Sequence, residues 1–239
     1  MWVYGDRAVY DLPHEYGLAP DVARMLRYTG YIDQRPRLSG GEAGAADTVP
    51  ADPFVLCTVG GGQDGAALAH AFADAVVPPG MRRVIVTGPQ MDPVHRQALI
   101  NRGLSDPTLQ VFEFLPEPMP LVARAACVVA MGGYNTVCEI LSFGKPAVIV
   151  PRITPRTEQL IRAQRLADRG LVGLLHPAQL CATALGDRIT DALSRPRAAV
   201  GVDLNGLVRV ARLADDLMDT AASRAVAADS ARASRHVAC

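Results

Sequence analysis

The chain has 239 residues, with 24 basic and 24 acidic side chains and 49% hydrophobic content. That length holds one large or two small domains with a real interior, and zero net charge argues against a surface built to grip nucleic acid or an anionic membrane. No apolar run reaches the roughly 18 residues of a membrane span: VVAM and AVIV are broken almost at once by Gly or Pro, and MWVYGDRAVYD carries charge by Asp6 and Arg7, unlike a signal peptide.

In chain order, residues 1–30 read as a strand (MWVYG), a helix (LAPDVARMLRY) and TGY. Residues 33–53 are rich in Gly, Pro, Ala and Asp and read as a flexible linker. From Phe54 onward, short β-branched runs alternate with stretches of helix length. FVLCTV (54–59), RRVIVTG (82–88), TLQVFEFL (108–115), ACVVAM (126–131), AVIVP (147–151) and LVGLL (171–175) are each followed by an amphipathic or Ala-rich segment. Runs of this length suit strands buried on both faces. Six β-α units in succession predict an α/β fold, a Rossmann-like parallel sheet flanked by helices over residues 54–220. NGLVRVARLADDLMD (205–219) predicts a helix with Leu207, Val210, Leu213 and Leu217 on one stripe. Residues 221–239 are small, polar and aperiodic, and read as a disordered tail.

The five cysteines are widely spaced and never form a CxxC pair, which suits reduced residues in a reducing compartment. The five histidines show no metal-ligand spacing, so no structural zinc is expected.

Two glycine-rich loops carry the functional signal. VGGGQDG (59–65) follows a strand and opens a helix, and Gly60, Gly62 and Gly65 satisfy G-x-G-x-x-G. Glycines there allow close backbone approach, and free N–H groups at a helix start favour an anion. A dinucleotide site also needs an acidic residue at the end of the next strand, but that strand ends VTGPQ. NAD is thus a weaker alternative, and a ligand-free β-α turn is another. AMGGYNTVCEILSFGKPAVIVP (130–151) repeats the arrangement at Gly132 and Gly133. Both loops should open on the carboxyl edge of the sheet, where such folds bind ligands. Two helix N-termini facing one crevice would suit a diphosphate.

Two readings of Glu139 stay open. Thr136-x-x-Glu139 matches a capping box, whereas a carboxylate can also accept from both hydroxyls of a sugar diol. In PRITPRTEQLIRAQRLADRG (151–170), Thr154 and Pro155 resemble an N-cap and first helical position, placing Glu158 and Gln159 in the first turn. Arg162, Arg165 and Arg169 read as a solvated face, while Arg152 and Arg156 lie nearer the crevice. His95 sits in an ordinary helix and is a poor candidate base.

With these residues in view, Phe54 to Gly173 resembles the C-terminal domain of family 28 glycosyltransferases. The pattern is GGxxTxxEhhxxGxPxhhhP, with h apolar, followed by an EQ or QQ pair on the next helix. The resemblance implies one half of a GT-B fold and a hexosyltransferase, inverting and independent of metal or other cofactor, that uses a UDP-sugar donor. It implies that Gly61, Gly62 and Gln63 border the diphosphate and that the Leu115 backbone lies beside uracil. Gly132, Gly133, Asn135 and Thr136 would lie near phosphate, Glu139 at the ribose, and Glu158 and Gln159 at the donor sugar. Gly62 stands where related transferases often have Ser, and Glu158 replaces a glutamine, leaving the sugar open.

A GT-B enzyme also has an N-terminal acceptor domain, of which residues 1–32 resemble only the last piece. The missing half, with the general base, is expected from a separate acceptor-binding subunit or from residues upstream of Met1. The MWVYG strand and the C-terminal helix would be docking surfaces. This implies a cytoplasmic protein, membrane-associated only through its partner and with no nucleic-acid ligand. The alternative is a non-catalytic nucleotide-sugar-binding subunit.

Overall fold

The computed structural model describes residues 1–39, 50–195 and 201–219. Its centre is a six-stranded, wholly parallel sheet: β3 (Phe54–Thr58), β4 (Arg82–Val86), β5 (Leu109–Phe112), β6 (Cys127–Ala130), β7 (Ala147–Ile149) and β8 (Gly173–Leu174). The spatial order is β5-β4-β3-β6-β7-β8. The first of these strands therefore sits mid-sheet, and the chain reverses its direction of travel between β3 and β6. That reversal is the switch point at which open α/β sheets bind ligands, just beyond the strands' carboxyl ends.

A helix follows each strand. These are α3 (Ala66–Asp74), α4 (Pro93–Ser105), α5 (Met119–Arg124), α6 (Tyr134–Ser142), α7 (Glu158–Asp168) and α8 (Ala182–Ser194). Alternation along β3 explains the layering. Phe54 and Leu56 face a core completed by α5, α6 and α7, whereas Val55 and Cys57 face one completed by α3, α4 and α8. Both faces are covered, so the strands are apolar throughout rather than alternating. Each fully buried Val, Leu, Ile or Phe contributes about 1.5–3 kcal/mol. Cys57, Cys127 and Cys138 are free and buried, consistent with small hydrophobes, and burial pushes the Cys127 thiol up to about 12. Cys181 is free and exposed.

The N-terminal segment differs from its expected form. β1 is only Trp2–Val3, paired in parallel with β2 (Arg27–Tyr28). Between them lie α1 (Leu12–Tyr16), which the sequence pattern did not suggest, and α2 (Pro20–Arg24). The expected helix over 18–28 thus ends early. The Arg27 and Thr29 amides bond to the Met1 and Val3 carbonyls instead, and strand pairing wins over helical continuation. Within the expected linker, Arg35–Ser39 forms a 3₁₀ turn, and residues 40–49 lie outside the described residues.

Gly206 opens the last helix, α9 (206–219), and its amide bonds to the Tyr31 carbonyl. Only part of its predicted stripe is covered here: Val210 and Leu213 are half-buried, while Leu207 is 66% and Leu217 59% exposed. The tail over 221–239 lies outside the described residues. Among the described residues, no helix is long and apolar enough to cross a membrane.

Candidate functional site: a crevice between two glycine loops

The loops after β3 and β6 flank the switch point and open on one crevice. It is about 240 Å³ in volume, and Gly60, Gly61, Gly62, Gln63, Gly133, Thr136 and Gln159 contribute to its wall. Thr58, Asp64, Gln90, Met131 and Arg152 complete most of the remainder. Close packing dictates glycine at several of the loop positions, among them two with a positive φ. At Gly62 (φ +95°) an added Cβ would lie 2.3 Å from the Thr87 carbonyl oxygen and 2.8 Å from the Met91 nitrogen. At Gly132 (φ +79°) it would lie 2.7 Å from the Ile149 Cγ2. A side chain therefore has no room at Gly62 in this fold.

The helix starts around the crevice share one property. Gly65, Gly133 and Thr157 are the N-caps of α3, α6 and α7, and none of the three helices has a side-chain cap. Helices α4 and α8 have side-chain caps, and α5, whose N-cap Pro118 has none, has Glu117 one residue before it in that role. Asp92 accepts from the Val94 amide, Glu117 from the Met119 amide at 3.0 Å, and Cys181 Sγ from the Ala184 amide. A helix start leaves several N–H groups without intrahelical partners and carries positive potential. The α6 start, through Gly133 and Thr136, faces the crevice, and such a start can meet an anion.

Two sequence expectations about helix starts fail here. The Thr136–Glu139 capping box is not formed: Gly133 caps α6, so Thr136 is already its third residue and Glu139 its sixth. Thr154 and Pro155 do not start α7. Thr157 occupies the N-cap, and the Arg152 amide, earlier in the same loop, donates to Gln159 Oε1 at 3.2 Å.

The remaining predicted residues lie around this crevice rather than all within it. Asn135 is exposed on the first turn of α6, and Gly132 is buried beneath it, its carbonyl accepting from Arg162 Nη1 at 3.4 Å. Leu115, in the β5–α5 loop, is half-buried against the core shared with α6. Glu139 is 9% exposed. Its Oε1 lies 3.5 Å from Arg37, which also pairs with Glu117 at 3.0 Å, two residues beyond Leu115. Burial raises the Glu139 pKa to about 7, with Arg37 opposing the shift and Glu117 adding to it. Arg37 and Glu117 were not foreseen, because their pairing joins segments 80 residues apart.

Glu158 and Gln159 diverge. Gln159 lines the crevice, whereas Glu158 lines a neighbouring cavity and pairs with Arg162. Arg162 is 8% exposed, contrary to the expected solvated face. Arg165 and Arg169 bond to Glu15 and to the Ala8 carbonyl, so this face of α7 packs on the N-terminal segment. Arg152 lines the crevice and reaches across it to Asp64 at 2.8 Å. His95 packs against His70 with ring nitrogens 3.2 Å apart, and neither lines the crevice. Among the described residues, no three His, Cys, Asp or Glu side chains converge as a metal site.

Residues 55–203 match the glycosyltransferase family 28 C-terminal domain, more than half of the chain. The chain belongs to glycosyltransferase family 28. This family 28 chain is 29% identical over 179 residues to the UDP-N-acetylglucosamine–N-acetylmuramyl-(pentapeptide) pyrophosphoryl-undecaprenol N-acetylglucosamine transferase of Sinorhizobium medicae, covering 72% of this chain and 48% of that one. The same enzyme of Paramagnetospirillum magneticum is 27% identical over 188 residues, covering 76% and 50%. The chain thus spans about half the length of these curated relatives. The glycotransferase of kitacinnamycin superposes with a TM-score of 0.58 at 18% identity, covering 82% of this chain and 46% of that one. MurG of Acinetobacter baumannii gives 0.50 at 22% identity, covering 63% and 44%. The family 28 chain has the fold of one half of a GT-B glycosyltransferase.

Proposed function

We propose that this chain is the donor-binding half of an inverting glycosyltransferase that moves a hexosyl group from a UDP-sugar to an acceptor hydroxyl. The observation that carries the reading is that the 60–64 glycine loop, which leads into α3, and the uncapped start of α6 open on one crevice at the switch point. Amides of the 60–65 and 132–136 loops would hold the diphosphate, with Gln63 and Asn135 at its edges and Thr136 offering a hydroxyl. These donors are fixed before the reaction, so they can stabilise charge on the leaving diphosphate without reorganising. Arg152 would exchange Asp64 for a phosphate oxygen. The proposal assigns the leaving-group charge to these groups rather than to a metal.

The nucleoside would lie between the Leu115 backbone and Glu139, whose ionised form accepts from both ribose hydroxyls. Gln159 would face the donor sugar. A uridine nucleotide is assigned because the named relatives are UDP-N-acetylglucosamine transferases. A second domain, in the same polypeptide or another chain, would supply most of the acceptor site and the general base, and would hold the protein at a membrane from the cytoplasmic side. A second reading, a non-catalytic nucleotide-sugar-binding subunit, is favoured by one observation. Asp64, the carboxylate that lines the crevice, is already ion-paired to Arg152.

Calorimetric titration tests the donor site. UDP should bind in the micromolar range, inorganic pyrophosphate should compete with it, and NADH should give no saturable heat. NADH binding in place of UDP would overturn the reading. Sugar transfer once the second domain is supplied would exclude the non-catalytic alternative.

A further inference from the structure

Beside the glycine crevice lies a second cavity, about 430 Å³, between the N-terminal segment and helices α6 and α7. The chain has six tyrosines, and every one of them lines it: Tyr4, Tyr10, Tyr16, Tyr28, Tyr31 and Tyr134. Glu158 and Arg162 line it as well. The volume falls within the range of small-molecule sites, about 300–1,000 Å³. Six residues scattered over more than a hundred positions converge only through the fold.

The lining is built rather than loose. Tyr31 and Tyr134 stack with centroids 6.0 Å apart and planes 18° from parallel, and Tyr4 tilts against Tyr134 at 6.1 Å. The Arg162 guanidinium carbon sits 5.9 Å from the Tyr134 ring centre while Arg162 pairs with Glu158. The hydroxyls of Tyr10 and Tyr134 are buried without a well-formed hydrogen bond, with Tyr16 beside the first and Cys138 and Ile32 beside the second. Burial raises both of their pKa values, so both stay protonated and able to donate. Buried hydroxyls without a well-formed hydrogen bond are uncommon and call for an explanation.

The chemistry of the lining selects a ligand class. Glu158 neutralises Arg162, so the cavity has no surplus cation for a phosphate. An aliphatic chain would leave the phenolic hydroxyls and the ion pair without polar partners. A ligand with apolar faces and a rim of hydroxyls fits both features, because phenol rings stack on the C–H faces while the hydroxyls meet the tyrosine oxygens and the Glu158 carboxylate. That ligand is a neutral pyranose ring.

We infer that the tyrosine cavity is a saccharide subsite, holding a sugar ring of the acceptor next to the donor crevice. Glu158 and Gln159, adjacent in α7, put the two sites on one helical turn, one residue facing each. The assignment to an acceptor rests on the proposed transferase function, whereas the saccharide chemistry rests on the cavity alone.

The test uses the intact chain with methyl β-glucopyranoside and methyl N-acetyl-β-glucosaminide as probes, read by saturation-transfer NMR, and UDP affinity by calorimetry. At least one glycoside should receive transfer at its ring protons, with and without saturating UDP. Tyr4 and Tyr16 are 53% and 52% exposed, so Tyr4→Ala and Tyr16→Ala should fold. Each should weaken glycoside binding about tenfold and leave UDP affinity unchanged. UDP binding with no transfer to either glycoside overturns the saccharide subsite, as does transfer that both variants leave untouched. Glycoside binding without UDP binding overturns the donor reading alone.

Discussion

Gly62→Ala should cost about 3 kcal/mol of stability, from a left-handed backbone of about 1–2 kcal/mol and overpacking of about 1–3 kcal/mol. The added methyl has nowhere to go, since its first contact is a backbone carbonyl oxygen at 2.3 Å and its second a backbone nitrogen at 2.8 Å. Relief would require the 60–65 loop to lift from the Thr87–Met91 turn, and UDP binding should be lost with the loop geometry. Gly133→Ala makes the contrast. Its φ is −57°, open to any residue, and a Cβ there meets no atom within 4 Å. As an N-cap change it should cost only about 0.5 kcal/mol. If the diphosphate approaches the α6 amides, the methyl should still weaken UDP about 10- to 100-fold, through loss of a charge-assisted hydrogen bond. Urea denaturation and calorimetry on the two variants separate the effects. Normal UDP affinity in a well-folded Gly133→Ala protein would place the phosphate elsewhere.

Glu139→Gln should move stability and binding in opposite directions. Burial raises the Glu139 pKa from 4.5 to about 7, so the folded chain holds this proton more tightly than the unfolded chain does. Its favourable contribution is therefore complete below about pH 4.5 and is lost as pH rises through 7. The loss amounts to about 3 kcal/mol at most. Glutamine carries no charge to desolvate, and Arg37 keeps its pairing with Glu117. At pH 8 the variant should melt about 3–6 °C higher than the parent chain. Uridine, which lacks a titrating phosphate, reports the ribose contact alone. Its affinity for the parent chain should rise about tenfold between pH 6 and 8 as the binding-competent carboxylate fills. In Glu139→Gln it should be about 10- to 100-fold weaker at pH 8 and flat with pH. Thermal melts and uridine titrations at both pH values check the pair. A variant that is less stable at pH 8 and binds uridine normally would make Glu139 a structural residue.

The sheet was readable from the chain because its strands are buried on both faces, and runs such as CVVA and AVIV announce that burial without help from neighbours. The glycine loops were readable for a related reason, since Gly62 answers a local steric demand from the next β-α turn. What escaped was set by distance. Arg37 gains meaning only where it meets Glu117 and Glu139, on segments that the sequence leaves far apart. Arg162 looked solvated because its own helix is polar, yet the N-terminal segment covers that face. The short strand Arg27–Tyr28 was hidden inside a helical pattern, as its pairing with Trp2–Val3 is a tertiary choice. Neighbours on a helix point about 100° apart, so Glu158 and Gln159 can serve separate cavities although the sequence reads them as one pair. The tyrosines gave no local signal because no two are adjacent.

Backbone amide NMR during a UDP titration bears most directly on the central claim, that two helix starts share one diphosphate. The largest shift changes should fall together on residues 60–66 and 133–136, saturate at one affinity, and be reproduced in part by pyrophosphate. Changes confined to one of the two loops, or centred away from the β3–β6 switch point, would contradict it.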